Sequence, residues 1–245
     1  MNSNRQTAKI VGALFLASNI TFLLGAMVFL APILGSTDYL TLVSANRAQV
    51  AVGALLELIN GIAYVGIAVL MFPLFKPRFE SLALAYVGFR LIEFVMQVAS
   101  SLSPLKLLTL SEEFVNANAS DPAAFHTVGS SLIAERYWAF QALGIVFAVG
   151  ALMFYTMLYQ SKLIPRYLSV WGLIGAALVL VNTIIVTLGL HLGSELGAFL
   201  GLPMLLNELV LGLWLIVRGF NVSQAVSEPS EPFKTQLKVV TAKSQ

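Results

Sequence analysis

Apolar residues fall into six long blocks along the chain, at about residues 10–31, 50–72, 81–102, 137–159, 167–188 and 203–217. Most of these blocks approach or exceed the roughly 20 residues that carry a helix across a hydrocarbon core about 30 Å thick. The pattern therefore predicts an all-α fold, a polytopic membrane bundle of about six transmembrane helices within one domain, residues 1–220. The first block is longer than the 7–15 apolar residues, roughly, of a cleaved signal peptide, so it is read as a retained span. Residues 221–245 are polar and proline-punctuated, and are expected to form a disordered cytoplasmic tail.

The punctuation between blocks predicts where helices stop. Pro73, Lys76, Pro77 and Arg78 should end the second span, because proline removes a backbone donor and clashes with the preceding turn. Ser161 to Arg166, with Pro165 inside, reads as a tight turn. Pro203 should open the sixth span. Residues 103–135 form the longest stretch between spans, and Leu105, Leu108 and Phe114 predict a short amphipathic piece lying in the interface. Asp121 followed by Pro122 is a helix start, an N-cap acceptor ahead of proline at the first helical position. That helix should run unbroken into the fourth span, with Tyr137 and Trp138 at headgroup level. Gly189, Gly193, Gly197 and Gly201 recur every fourth residue, which fits either a smooth packing ridge or a flexible turn.

Composition agrees with the pattern. Of 245 residues, 58% are hydrophobic and 11% charged, against about 25% charged in ordinary soluble domains. The absence of cysteine removes disulfides, thiolate metal sites and cysteine nucleophiles. A net charge of +2, with basic residues dispersed, gives no nucleic-acid surface. Charge also sets orientation. Ten of the fourteen Lys and Arg residues fall on the side of the N-terminus in a six-span topology. Only Arg47 and Lys106 fall on the other, while Arg90 and Arg136 lie at or near membrane depth. That bias predicts cytoplasmic termini.

The candidate chemistry lies inside the spans. Arg90, Glu93 and Gln97 share one helix face, although each ionisable group at membrane depth costs roughly 2.5–3.5 kcal/mol on insertion scales. Glu57 and Asn60 in the second span, Asn182 in the fifth, and Asn207 and Glu208 in the sixth complete the candidate ligand-binding set. At about 1.5 Å per residue, Arg90 reaches mid-bilayer, and Glu57, Glu93, Gln97, Asn182 and Glu208 fall in the outer half. They are expected to line one pocket roofed by residues 103–135. Three carboxylates against one guanidinium imply that one or two glutamates are protonated, or that a cation or water fills the site. The bland alternative is a buried ion-pair network that fixes helix register. His126 and His191 read as solvated loop residues without metal-ligand spacing. No P-loop, G-x-G-x-x-G or G-x-S-x-G pattern occurs, and no cofactor is expected.

Three functions remain open. The first is a binding or transport protein for a small polar or amphiphilic ligand. The second is an intramembrane enzyme acting on a lipid or amphiphile, with a glutamate as base and Arg90 holding an anionic group. The third is a non-catalytic membrane partner. The bilayer is the expected surrounding, and a homo-oligomer is a further expected partnership.

Three stretches carry a family resemblance. Phe72-Pro73-Leu74-Phe75-Lys76 leads to Gly88-Phe89-Arg90-Leu91-Ile92-Glu93. Ile164-Pro165-Arg166-Tyr167-Leu168-Ser169-Val170-Trp171-Gly172 forms the second, and the third runs from Asn207-Glu208-Leu209 to Trp214-Leu215-Ile216-Val217-Arg218-Gly219-Phe220. Together they resemble the bacterial integral-membrane family catalogued as domain of unknown function 4386, over roughly Arg5 to Phe220. The resemblance implies a bacterial plasma-membrane location and that Arg90, Glu93 and Glu208 are typical of the group. It implies no activity. The echo of Pro77-Arg78 in Pro165-Arg166 also suggests a parallel internal repeat.

Overall fold

Proline breaks fewer helices than the sequence suggests. A computed structural model describes residues 2–116, 121–190 and 194–221. Among these, α1 (Asn2–Phe22) continues through a π-helical stretch, Leu23–Leu30, into α2 (Ala31–Leu34). Then follow α3 (Tyr39–Ala45), α4 (Arg47–Asn116), α5 (Pro122–Ser161), α6 (Arg166–Thr187) and α7 (Ser194–Val217). No strand occurs among the described residues. Five helical stretches are long and apolar enough to cross a membrane. Each exposes large apolar side chains such as Met27, Leu55, Val95, Trp138, Ile174 and Leu213. A soluble monomer rarely carries so much contiguous apolar surface, so the bundle is that of a membrane protein.

Helix α4 accounts for two crossings. Its 70 residues would extend about 105 Å if straight, more than three hydrocarbon thicknesses. Its backbone leaves helical values at Phe79 (φ −134°, ψ 43°). The two arms then run back alongside one another: Ser101 Oγ donates to Glu57 Oε2 at 2.9 Å, and Gly61 packs against Phe94 and Gln97. Pro73 and Pro77 therefore do not stop the second span, because the helix continues through both and reverses two residues after the second. The third span likewise does not end near Leu102. The helix passes through Pro104 to Asn116, and packing on α3 and α5 offsets the one backbone donor that Pro104 lacks.

The segment expected to lie flat in the interface is an upright hairpin instead. Asp121 caps α5 as its sequence predicts, accepting from the Ala124 amide at 3.2 Å, and α5 runs unbroken into the fourth crossing. Lys106 pairs with Glu135 at 2.9 Å, Phe114 meets Phe125 edge-on, and Arg47 pairs with Glu112. Under the hairpin a small separate core gathers Leu30, Ile33, Leu40, Val43, Val50 and Leu107. His126 is on helix α5, not in a loop, with its ring against Tyr39 and Phe114.

At the opposite end the two ends of the described chain meet. Arg5 donates to the carbonyls of Val217 and Arg218 at 2.8 and 2.9 Å, and the Asn221 amide donates to the Leu163 carbonyl at 2.8 Å. Both ends of the described chain therefore lie on one face of the bundle. Between them α1 and α7 touch through glycines: a methyl on Gly12 would come within 2.5 Å of the Gly212 carbonyl oxygen. A methyl on Gly25 would likewise come within 2.8 Å of the Gly53 carbonyl oxygen, so both glycine pairs let helices approach closely. Of the predicted glycine ladder, Gly189 turns the chain in the left-handed region (φ 78°), Gly201 has nothing within 4 Å, and Gly193 and His191 lie outside the described residues. The tail from residue 222 onward lies outside them as well.

The sixth span begins before Pro203, which sits inside α7. A proline in a span loses one hydrogen bond, and surrounding helices re-satisfy the freed groups. The two turns proposed as an internal repeat differ locally: Pro77 is helical, while Pro165 caps α6 with an extended backbone (ψ 136°).

Candidate functional site

The polar face predicted on the third span points into the bundle, and helical spacing explains why. Tyr86, Arg90, Glu93, Gln97 and Ser101 recur at steps of three or four, so the second arm of α4 presents them as one stripe. The first arm presents Glu57, Asn60 and Tyr64 in the same way. Glu57, Arg90, Glu93, Gln97 and Glu208 are all buried, Arg90 to 1% exposure. They divide into two layers separated by the seven-residue step from Glu57 to Tyr64, about 10 Å of helix.

The outer layer is fully paired. Arg136 of α5 grips both oxygens of Glu57: Nη1 donates to Oε2 at 2.9 Å and Nη2 to Oε1. Arg136 Nη1 also reaches the Ser100 carbonyl at 3.1 Å. Gln97 Nε2 donates to Ser101 Oγ at 3.2 Å, and that hydroxyl donates in turn to Glu57. Fork-to-fork pairing of this kind is directional and strong, and it ties both arms of α4 to α5. Asn60 adds a neutral tie, donating to the Ser18 carbonyl of α1 at 2.9 Å.

The inner layer is built around Arg90. Its Nη1 donates to Glu93 Oε2 at 2.5 Å. The guanidinium carbon lies 4.6 Å from the ring centroid of Tyr64, 5.1 Å from Phe147 and 5.3 Å from Tyr86. Three ring faces thus supply quadrupolar attraction away from bulk water. Tyr64 connects this cage to the second carboxylate, its hydroxyl donating to Glu208 Oε2 at 2.6 Å. Asn19 Nδ2 donates to the same oxygen at 3.2 Å. Glu208 therefore rests on neutral donors, while Glu57 and Glu93 each hold a guanidinium.

Several buried polar atoms in and beside this layer have no hydrogen-bond partner within the protein. They are Glu208 Oε1, Arg90 Nε, the hydroxyls of Tyr86 and Tyr155, and Asn207 Oδ1. Except for Asn207 Oδ1 these atoms are near one another: Tyr86 stacks on Phe154 at 5.3 Å and Phe154 meets Tyr155 at 5.3 Å. Glu208, Tyr86 and Arg90 all act electrostatically on the Tyr155 hydroxyl. An unsatisfied buried polar group costs about 1–3 kcal/mol, and native proteins contain few.

The arrangement corrects the sequence reading in three respects. Glu208 lies fourteen residues, about 21 Å, along a helix that starts at Ser194, rather than five residues past a start at Pro203. Arg136, expected only at the outer mouth, is the partner of Glu57, so three acids face two guanidinium groups rather than one. The eight candidate residues do not surround one open pocket. Asn182 stands apart, half-buried on α6 beside Gly197, and Asn207 turns its amide to the Leu168 carbonyl at 3.0 Å. A shallow groove lined by Val210, Leu213, Trp214, Val217 and Arg218 lies elsewhere, near the end of α7. Among the described residues no three His, Asp or Glu side chains are grouped to hold a metal. Tyr64, Tyr86, Phe147 and Tyr155 went unmarked in the sequence, as aromatic residues in a span are ordinary packing. Tyr64, two turns from Glu57, and Tyr86, one turn from Arg90, carry a spacing signal; Phe147 and Tyr155 carry none.

Fold and buried charge together define a polytopic helical membrane protein with an ionic centre inside the bundle. The chain belongs to the family described as Domain of unknown function (DUF4386), which it matches over residues 10–219. No curated protein and no solved structure matches it.

Proposed function

We propose that the inner layer is a binding site, and that the protein binds or transports a small polar or amphiphilic ligand at mid-bilayer depth. The observation that carries this reading is the cluster of unpartnered buried atoms, Glu208 Oε1, Arg90 Nε and the hydroxyls of Tyr86 and Tyr155. A purely structural network would be expected to close on itself, as the Glu57–Arg136 layer does. That outer layer is read as a clasp that fixes α4 against α5. The protein sits in a bacterial plasma membrane with both termini cytoplasmic; the excess of Lys and Arg on the face shared by the termini supports this orientation. The upright hairpin then caps the outer side.

Native mass spectrometry of the purified protein, released from mild detergent, tests the binding. The expected result is a small-molecule adduct of recurring mass on the wild-type chain and its loss from the Glu208→Gln, Tyr155→Phe double variant. An adduct that persists undiminished on the double variant would place binding elsewhere. A wild-type chain that takes up none of a supplied set of polar amphiphiles would remove the reading.

A further inference from the structure

We infer that the ligand of the inner layer is an organic cation, and that Glu208 exchanges a proton for it. This rests on the binding reading above and adds the class of ligand and the group that responds. The argument is charge balance in a closed space. Arg90 is matched by Glu93 at 2.5 Å, so the guanidinium already has its counter-ion. Glu208 is the carboxylate left over. The groups that act on it are Tyr64 from the first arm of α4 and Arg90 and Glu93 from the second. Tyr155 of α5 lies within its field, and Asn19 of α1 is a neutral donor. None of these brings a second positive charge.

With both glutamates ionised the layer carries one net negative charge at 3% and 4% exposure. An uncompensated charge in such a place is too costly to persist, so one positive charge must join it. A proton on Glu208 suffices when the site is empty. When a cation arrives the proton leaves, and the free Oε1 becomes the acceptor that faces it. The exchange is balanced: the carboxylic acid and a cation become a carboxylate–cation pair and one free proton. The rings support the same class of ligand. Tyr64, Tyr86 and Phe147 already surround one organic cation, the protein's own guanidinium, at 4.6–5.3 Å, and aromatic faces favour alkylammonium groups for the same reason. The unpartnered hydroxyls of Tyr86 and Tyr155 can turn their oxygen lone pairs toward such a cationic head.

The test uses octyltrimethylammonium, octyl sulfate and octanol, which share one tail and differ in head charge. Each is titrated into the full chain in nanodiscs, weakly buffered near neutral pH, while melting and proton release are followed. Octyltrimethylammonium should stabilise the wild-type protein saturably and release up to about one proton per chain. In Glu208→Gln the release should vanish and affinity should fall by about tenfold or more. Glu208→Asp, which keeps the acid, should retain release and controls for misfolding. Equal proton release from wild type and Glu208→Gln would overturn the inference. Saturable stabilisation by octyl sulfate or octanol alone, lost in Tyr155→Phe, would overturn the cation class while leaving the binding site in place. Stabilisation by none of the three would overturn both.

Discussion

Replacing Arg136 by methionine should destabilise the protein by about 3–5 kcal/mol, the scale for breaking a buried ion pair from one side. Glu57 is 1% exposed and both of its oxygens rest on that guanidinium. Without it a carboxylate is left among apolar neighbours, with Ser101 as its remaining donor. The double variant Glu57→Met, Arg136→Met should recover most of the loss, since replacing both members of a buried pair with apolar groups is often close to neutral. Reversible unfolding in detergent micelles of both single variants and the double variant checks this. A loss under about 1 kcal/mol for Arg136→Met, the scale of an exposed pair, would show that water reaches Glu57 and that the clasp is not closed.

The second large effect is expected at Arg90. Arg90→Met should again cost about 3–5 kcal/mol, by leaving Glu93 buried beside Glu208 with no cation between them. Arg90→Lys should recover only part of this, because an ammonium cannot lie flat among three rings while donating sideways to Glu93. Glu93→Gln should cost less than Arg90→Met: the guanidinium keeps its three aromatic faces, and nearby Glu208 can give up its proton to balance it. Thermal unfolding of the three variants, followed by loss of the monodisperse species in gel filtration, ranks them. Glu93→Gln proving the most damaging of the three would contradict the role given to the rings.

Much of this centre was legible in the sequence. Arg90, Glu93 and Gln97 announced themselves as polar residues inside an apolar block, and their spacing put them on one inward face. The helix start at Asp121 was equally plain, because capping is local chemistry between neighbours in the chain. What the sequence could not supply was depth and partnership. The start of α7 was misplaced because Pro203 looks like a helix start, whereas within a bundle a proline can sit inside a helix. The upright hairpin was missed for a related reason. Leu105, Leu108 and Phe114 form an amphipathic stripe whether they face lipid or the small core above the membrane, and only the contacts with α3 and α5 decide. Arg136 was visible but belongs to Glu57 across seventy-nine residues of chain. Phe147 carries no mark at all until the arginine it helps enclose is seen beside it.

The most direct test of the account is a high-resolution density map of the protein in lipid nanodiscs. The prediction is non-protein density, from ligand or ordered water, between Glu208 Oε1, the Tyr155 hydroxyl and Arg90 Nε. A centre whose polar atoms are all hydrogen-bonded to one another, with no space between them, would make Arg90, Glu93 and Glu208 a structural core and end the case for a binding site.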